Sequence, residues 1–421
     1  VKILVSAFAC VPNAGSEGGV GWFWAHEWAR DHEVVVLTDV TRRAAIEAEL
    51  ARHPAPPQLR YVYFRPPWLR WMPLNSLTAQ LLFQLWQIGA VPYVRGLHRQ
   101  EGFGLIHHAT YGVFRQPSLL GRTGVPVVFG PVGGGEDAPW ALKRSMPWRD
   151  QLREALRALI NSWARYDPLL RHGLRHSALI LAKTGATAAA LPRGFAHRTK
   201  VALEIGTMPR PGVVPRAAPA GRALRLIYAG NFLALKGLHL GLRALAMAVA
   251  AGADLELAII GNGPMAVALR AQAAELGITG RIEWIERLPQ SELFERYRTH
   301  DALLFPSLHD SSGNVVMEAL SFALPVVCFD LGGPADIVTP VCGCIVRTAG
   351  LDEEAATAAM AQALLRLQRE PGLFESLSAG ALQRAAELDW NAQAARIKQW
   401  ALQCAPPAHA ADGSKRARHA V

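Results

Sequence analysis

The chain has 421 residues, 51% of them hydrophobic and 19% charged, which is too long for one ordinary core and suits two domains of about 200 residues each. Its apolar runs, the strongest at 79–94 and 319–329, are broken by Gln, Gly or Pro before reaching the roughly 18 to 20 residues of a membrane-spanning helix, so no spanning segment is expected. Five cysteines, at 10, 328, 342, 344 and 404, are odd in number and lack CxxC spacing, which argues against a disulfide framework or a zinc cluster, whereas the net charge of +10 points to an anionic partner.

The opening residues VKILVSAFA read as a buried strand with no signal pattern, and a cytoplasmic location is expected. Further strands are predicted at 33–38, 59–64, 105–107, 125–129, 178–183 and 200–203, each short, apolar and followed by a turn or helix, the mark of an α/β fold. After the first strand comes PNAGSEGGVGW. Gly18, Gly19 and Gly21 expose amides toward an anion at the start of a helix predicted near Gly19. Asp39, about 20 residues on, makes a dinucleotide-binding dehydrogenase the rival, but Trp24 stands where that fingerprint needs Gly or Ala.

Between Arg60 and Arg122 seven arginines stand against one acidic residue, Glu101, interleaved with Trp68, Trp71, Leu82, Phe83, Leu85 and Trp86. Two readings compete on equal terms. The stretch is either an amphipathic surface resting on anionic lipid, or a core helix with solvated arginines outside. No nucleic-acid-binding motif accompanies the charge, so nucleic acid is not expected as a partner. His107 and His108 close the strand predicted at 105–107 and are candidate catalytic groups on the cleft side, against the alternative of structural imidazoles. The run FGPVGGGE at 129–136 implies close approach of a ligand or a lid; Gly133, Gly134 and Glu136 are candidate acceptor contacts.

Four prolines in GTMPRPGVVPRAAPAG, residues 206–221, make a poor core element. The expected division is a Rossmann-like domain 1–205, a linker 206–222, a second Rossmann-like domain 223–385, a terminal helix within 386–405 and a disordered basic tail 406–421. In the second domain strands are predicted at 224–229, 255–260, 281–285, 302–305 and 326–329, with helices from 237 and 265 and over 291–298. Asn231 and Lys236 lie in the loop after its first strand, where a cation reaches a bound diphosphate. Gly261, Asn262 and Gly263 form a turn after the next and are candidate donor contacts, against the alternative of a plain turn.

The most informative segment is HDSSGNVVMEALSFALPVVCFDLGG, from 309. Asp310 opens a loop, Ser312, Gly313, Asn314 and Val315 begin a helix, and Glu318 follows eight residues after Asp310. Amides and the positive dipole end suit a phosphate, while the carboxylates suit the hydroxyls of a sugar and a ribose. No Asp-x-Asp triplet, metal-ligand spacing or GxSxG elbow occurs, so no metal and no cofactor is expected.

This segment resembles the family 4 retaining glycosyltransferases, of GT-B fold, which carry an E-x7-E pair followed by a Gly-Gly loop; Glu318 matches the second acid and Asp310 shortens the first. The run from Gly230 to Gly237 is similar to their GR-x4-KG, with Lys236 matched and Asn231 replacing the arginine. The stretches GSEGGVGW and FGPVGGGE resemble bacterial enzymes of exopolysaccharide and lipopolysaccharide assembly. The resemblance implies two doubly wound domains facing across a cleft, with the last helix crossing back to the first domain. It implies transfer of a hexose, with retention and without a metal, from a nucleoside-diphosphate sugar to a glycan or lipid-linked hydroxyl. Glu318 would hold the ribose and Asp310 the sugar; Lys236, Gly313 and Asn314 would neutralise the diphosphate, with the 18–21 loop closing over it. A GT-B sugar-nucleotide 2-epimerase and a non-catalytic donor- or glycan-binding protein are the alternatives.

Overall fold

The computed structural model describes residues 1–12, 16–75, 78–204, 206–208 and 210–406. The tail expected at 406–421 lies, from 407 onward, outside the described residues, as do 13–15 of the glycine-rich loop.

Two parallel sheets organise the chain. The first has seven strands, β1 (Lys2–Ser6), β2 (Glu33–Asp39), β3 (Leu59–Phe64), β4 (Leu105–His108), β5 (Val127–Val132), β6 (Leu179–Ala182) and β7 (Thr199–Val201), in the order β3-β2-β1-β4-β5-β6-β7. The second has six, β8 (Leu224–Ala229), β9 (Leu255–Ile260), β10 (Ile282–Ile285), β11 (Ala302–Phe305), β12 (Val326–Phe329) and β13 (Gly343–Val346), in the order β10-β9-β8-β11-β12-β13. Helices cover both faces, so the central strands are near-continuous apolar runs; β1, β4, β8 and β12 are buried over almost every residue. Strand β13, which was not predicted, is a four-residue edge strand of sequence GCIV with two half-buried positions. Its glycine and cysteine carry little strand signal.

The order of each sheet reverses once, between β1 and β4 in the first and between β8 and β11 in the second. Loops at the carboxyl ends of those strands diverge and leave a crevice. Every motif singled out above for a ligand lies after β1, β4, β5, β8, β9 or β11.

The helix Ala79–Glu101 decides between the two readings for part of the basic stretch, while Trp68 and Trp71 before it are exposed. Leu82, Phe83 and Trp86 are fully buried beside Phe8, and Trp86 donates its Nε1–H to the Phe64 carbonyl at 2.8 Å. Its apolar face is core, and the lipid reading does not hold for these three side chains. Among the described residues, no helix is long and apolar enough to cross a membrane.

The chain passes between the domains twice, side by side. Thr207 and Asp389 form an isolated parallel bridge, and a Cβ on Gly206 would lie 2.6 Å from the Trp390 Cα. The proline-rich stretch that follows is fastened to the second domain by Arg216, whose guanidinium donates to the carbonyls of Phe322, Arg298 and Tyr297. Helix Trp390–Leu402 then packs on the first domain. Trp390 meets Phe23 edge to face at 4.1 Å, and Lys398 binds Glu27 at 3.2 Å and Asp31 at 2.5 Å.

Candidate active site

The segment after β11 is built around Asp310. One carboxylate oxygen accepts the amides of Ser312 at 3.1 Å and Gly313 at 2.8 Å, and the other receives the Lys236 ammonium at 2.5 Å. Burial opposes the negative charge, but Lys236 and the two amides outweigh it and hold the carboxyl below its ordinary value. A carboxylate has about four acceptor sites, and these contacts use three.

Gly313 is left-handed, with φ 61°, and turns the chain into helix Asn314–Ser321. The amides of its first turn have no intrahelical acceptor. Asn314 faces the cleft, with its buried Oδ1 unpartnered; Val315 packs toward the core of the second domain. One turn on, Glu318 accepts from Gln290 Nε2 at 2.9 Å and from the buried Tyr297 hydroxyl at 3.4 Å. Burial raises its pKa above the ordinary glutamate value, against the pull of those two donors.

Lys236 ends a short turn after β8, and Gly237 behind it is left-handed with φ 63°. A Cβ there would stand 1.9 Å from the Pro306 carbonyl oxygen. Gly237→Ala is therefore expected to destabilise the protein by about 1–3 kcal/mol through strain and overpacking, read as a lower denaturation midpoint. Unchanged stability would show that the turn has room to move. Asn231 is exposed. Gly261 and Gly263 are glycines because the 230–232 loop lies against them: a Cβ on Gly261 would be 2.0 Å from Gly230 O, and one on Gly263 2.7 Å from Phe232 O. Asn262 caps the turn through Gly263 N. Their local geometry is explained by loop packing.

A cavity of about 440 Å³ opens between the domains. Ser311, Ser312, Asn314, Glu318 and Gln290 line it from the second domain, and Glu17, Gly19, Lys183 and Glu204 from the first, with Trp24 and Trp390 among the apolar walls. Lys183, at the end of β6, is 6% exposed and lies 2.7 Å from Glu204. Burial works against its charge, but Glu204 and Glu17 outweigh it and keep the ammonium above the ordinary lysine value. Glu17 is raised by burial and accepts the Tyr111 amide at 2.6 Å; Tyr111 itself has a positive φ of 57°. Ser312 Oγ lies 3.3 Å from Glu204 Oε2, which ties the two sides together.

Several expected contacts are not in this cavity. His107 is fully buried in the first core; Trp28 Nε1–H donates to its Nδ1 at 2.9 Å and its Nε2 donates to Gly130 O at 2.8 Å, and burial lowers its pKa to about 4. His108, lowered by burial to about 3, packs edge-on against Phe129 and Phe83. Both are structural imidazoles, because their strand is central and covered on both faces. Glu136 is 1% exposed and bonds Thr184, Thr187 and the Gly134 amide; it fixes the glycine loop and does not face the cleft. Gly133 does approach the other domain, since a Cβ there would be 3.2 Å from Ser311 Cβ. Gly134 is left-handed with φ 95°, and its carbonyl accepts from Asn161. In the first loop the helix begins at Ser16. Gly18 O accepts the Val11 amide, and Gly21 is buried with a hypothetical Cβ 2.3 Å from Ala9 O, so its role is close helix-to-strand packing.

Lys183, Glu204 and Gln290 were not anticipated. The signal for Lys183 was available, since a lysine ending a central strand projects at the ligand end of the sheet. Glu204 and Gln290 carry no comparable local mark. A second depression, of about 390 Å³, is lined by Arg225, Glu256 and Arg296 near the amino ends of β8 and β9, away from the ligand end.

Residues 217–370 match the family model described as glycosyl transferases, group 1. The D-inositol 3-phosphate glycosyltransferase of Thermobispora bispora is 32% identical over 216 residues, covering 46% of this chain and 49% of its own length. The 2-deoxystreptamine glucosyltransferase of Streptomyces kanamyceticus is 30% identical over 123 residues, 29% of this chain and 32% of its own. The chain thus spans half or less of the length of these two curated relatives. Among solved structures, the lipopolysaccharide outer core galactosyltransferase WaaB superposes with TM-score 0.64 at 13% identity, covering 94% of this chain and all of the other. Anabaena HepE in complex with UDP superposes with TM-score 0.60 at 15% identity, covering 94% and 98%. These likenesses establish the fold, two Rossmann-like domains in the GT-B arrangement.

Proposed function

We propose that this chain, whose second domain belongs to the group 1 glycosyltransferases, transfers a hexose from a nucleoside-diphosphate sugar to a hydroxyl of a glycan or lipid-linked acceptor in bacterial surface polysaccharide synthesis. The observation that carries the reading is the cavity between the domains. It brings the first turn of helix Asn314–Ser321 and Glu318 to face Gly19 and Lys183 from the other sheet. HepE has been solved with UDP and with UDP-glucose, which supports a nucleotide-sugar donor for a fold of this kind.

In this reading Glu318 accepts the ribose hydroxyls, and the amides of Asn314 and Val315 meet the diphosphate. Lys236 serves the diphosphate with an N–H beyond those that point at Asp310 and the His309 carbonyl. Asp310 orients both the amides and Lys236 and keeps an acceptor site for a sugar hydroxyl. Closure over the cavity excludes water and limits donor hydrolysis. Retention and independence of a metal belong to the same proposal, as do location on the inner face of the plasma membrane and peripheral association with anionic lipid.

A thermal-shift screen against UDP-, GDP-, ADP- and dTDP-sugars tests it. A rise in melting temperature with one nucleotide class, absent in Glu318→Ala, is expected, because a ligand of the folded state stabilises it by mass action. A shift that persists in the variant would remove the donor from this pocket. Product formed only when acceptor is present separates transfer from epimerisation.

The pH dependence follows from Glu318. Its carboxyl is raised above 4.5, so it protonates, and stops accepting two hydroxyl bonds, before an exposed glutamate would. The acid limb of kcat/KM is expected above pH 4.5, with activity falling as pH falls. A limb below that value would dissociate Glu318 from the donor.

A further inference from the structure

Helix Trp148–Ala164 is amphipathic with its faces reversed. Trp148, Leu152, Leu156, Leu159, Ile160 and Trp163 are all exposed, both tryptophans to 69%. At 100° per residue these six positions fall within an arc of about 120°. The stripe continues past the helix through Tyr166 and Leu169, each 75% exposed. The inward face is polar instead. Glu154 binds Lys143 at 3.2 Å and Arg157 at 2.5 Å. Arg157 Nη1 reaches His309 Nε2 at 2.8 Å, and Asn161 donates to Gly134 O at 3.0 Å. The helix is held to the molecule by charge and hydrogen bonds while its hydrophobic surface lies outside.

Charge indicates what covers that surface. From 144 to 175 the arginines at 144, 149, 153, 165, 171 and 175 are exposed, and among the described residues of that segment no carboxylate is. Arg149 falls inside the apolar arc near one edge, and Arg153 stands just beyond that edge. Aromatic and leucine side chains rimmed by arginine suit a surface whose outer layer is anionic and whose interior is hydrocarbon. Scattered exposed apolar residues need no such partner, but a continuous stripe of this kind does.

We infer that helix Trp148–Ala164 and the start of helix Pro168–Arg175 form the surface by which this protein lies on an anionic phospholipid bilayer. The surface sits beside the cleft. Through Arg157 and Asn161 the same helix touches His309, next to Asp310, and the Gly133–Gly135 loop. A lipid-linked acceptor would then approach the cavity from the docked side. The inference rests on the proposed peripheral association and not on the transfer reaction, so it is measured without donor.

The test is cosedimentation of the full chain with phosphatidylcholine vesicles with and without phosphatidylglycerol. Wild type is expected to bind the anionic vesicles, and Trp148→Ser/Leu152→Ser/Trp163→Ser to bind them about tenfold less or weaker. These positions are exposed, so the variant is expected to keep the wild-type melting temperature and any donor-induced shift. Arg149→Glu/Arg153→Glu is expected to lose the preference for phosphatidylglycerol. Unchanged binding by the triple variant, or no binding of wild type to either vesicle, overturns the inference. So does a wild-type dimer in light scattering that the triple variant converts to monomer, since a second copy would then cover the stripe. Donor-induced stabilisation is unaffected by any of these outcomes and judges the transfer reading separately.

Discussion

Glu318→Gln is expected to lower kcat/KM for transfer by about a hundredfold, and Glu318→Ala to abolish it while the fold persists. A hydrogen bond to a charged group contributes about 1.5–3 kcal/mol, and each 1.4 kcal/mol is a factor of ten, so weakening two ribose contacts accounts for the loss. Glutamine is the more informative replacement. It keeps a carbonyl oxygen for Gln290, and its amide NH2 takes the place of the oxygen that faced the Tyr297 hydroxyl and donates to that hydroxyl, which lies within a buried side chain. Alanine leaves that hydroxyl without its partner, at a cost of about 1–3 kcal/mol in local stability. Steady-state kinetics together with donor titration decides the matter. Full activity in Glu318→Ala, with an unaltered donor dissociation constant, would sink the assignment.

Lys183→Ala is expected to lower stability by about 3–5 kcal/mol, the usual consequence of removing one partner from a buried ion pair. It is also expected to weaken donor binding. Glu17, Glu204 and Glu318 line the cavity, and Lys183 is the cation among its lining residues. Without it the three lining carboxylates lose the cation beside them, and an incoming diphosphate is left with Lys236, which lies outside the lining and is paired to Asp310. The pH dependence has a definite sign. In wild type the raised lysine pKa contributes stability that is complete below the ordinary value of 10.5 and fades as pH rises through the raised value. In the variant Glu17, already raised by burial and held down by Lys183, loses that counter-charge and takes up a proton more readily, so the deficit shrinks on acidification. Denaturant melts at neutral and mildly acidic pH measure this, and adding Glu204→Gln should recover part of the loss. A Lys183→Ala variant within about 0.5 kcal/mol of wild type would show the pair to be dispensable.

The strands β8, β9, β11 and β12 have the bounds that the sequence predicts, because each is a short apolar run in a parallel sheet covered on both faces, where burial itself writes the pattern. The edge strand β3 is also placed as predicted, since its Tyr, Val, Tyr and Phe are strong strand formers, which the Gly-Cys start of β13 is not. The missed β13 is an edge strand, where only one neighbour and half the burial act on the residue choice. The placing of Asp310, Gly313, Asn314 and Glu318 on a loop and the first turns of a helix was legible for a local reason: the motif's geometry is contained in ten residues of chain. So was Lys236 before a left-handed glycine.

What the sequence by itself determined is the α/β alternation, the two-sheet organisation and the local shape of the 309–333 segment, since period, turn residues and caps act over a few positions. Only the tertiary structure decided which side chains share a cavity. Lys183, Glu204 and Glu17 converge from three separate segments. His107 and Glu136, polar residues at strand ends that read as ligands, are withdrawn into the core because Trp28, Thr184 and Thr187 arrive there to satisfy them. The helix Trp148–Ala164 shows the same limit from outside. Its periodicity marks an apolar face, but only the packing of Glu154, Arg157 and Asn161 decides that this face looks away from the protein. Hydrophobic period fixes where a stripe lies on a helix; the partners on the opposite side fix which way it points.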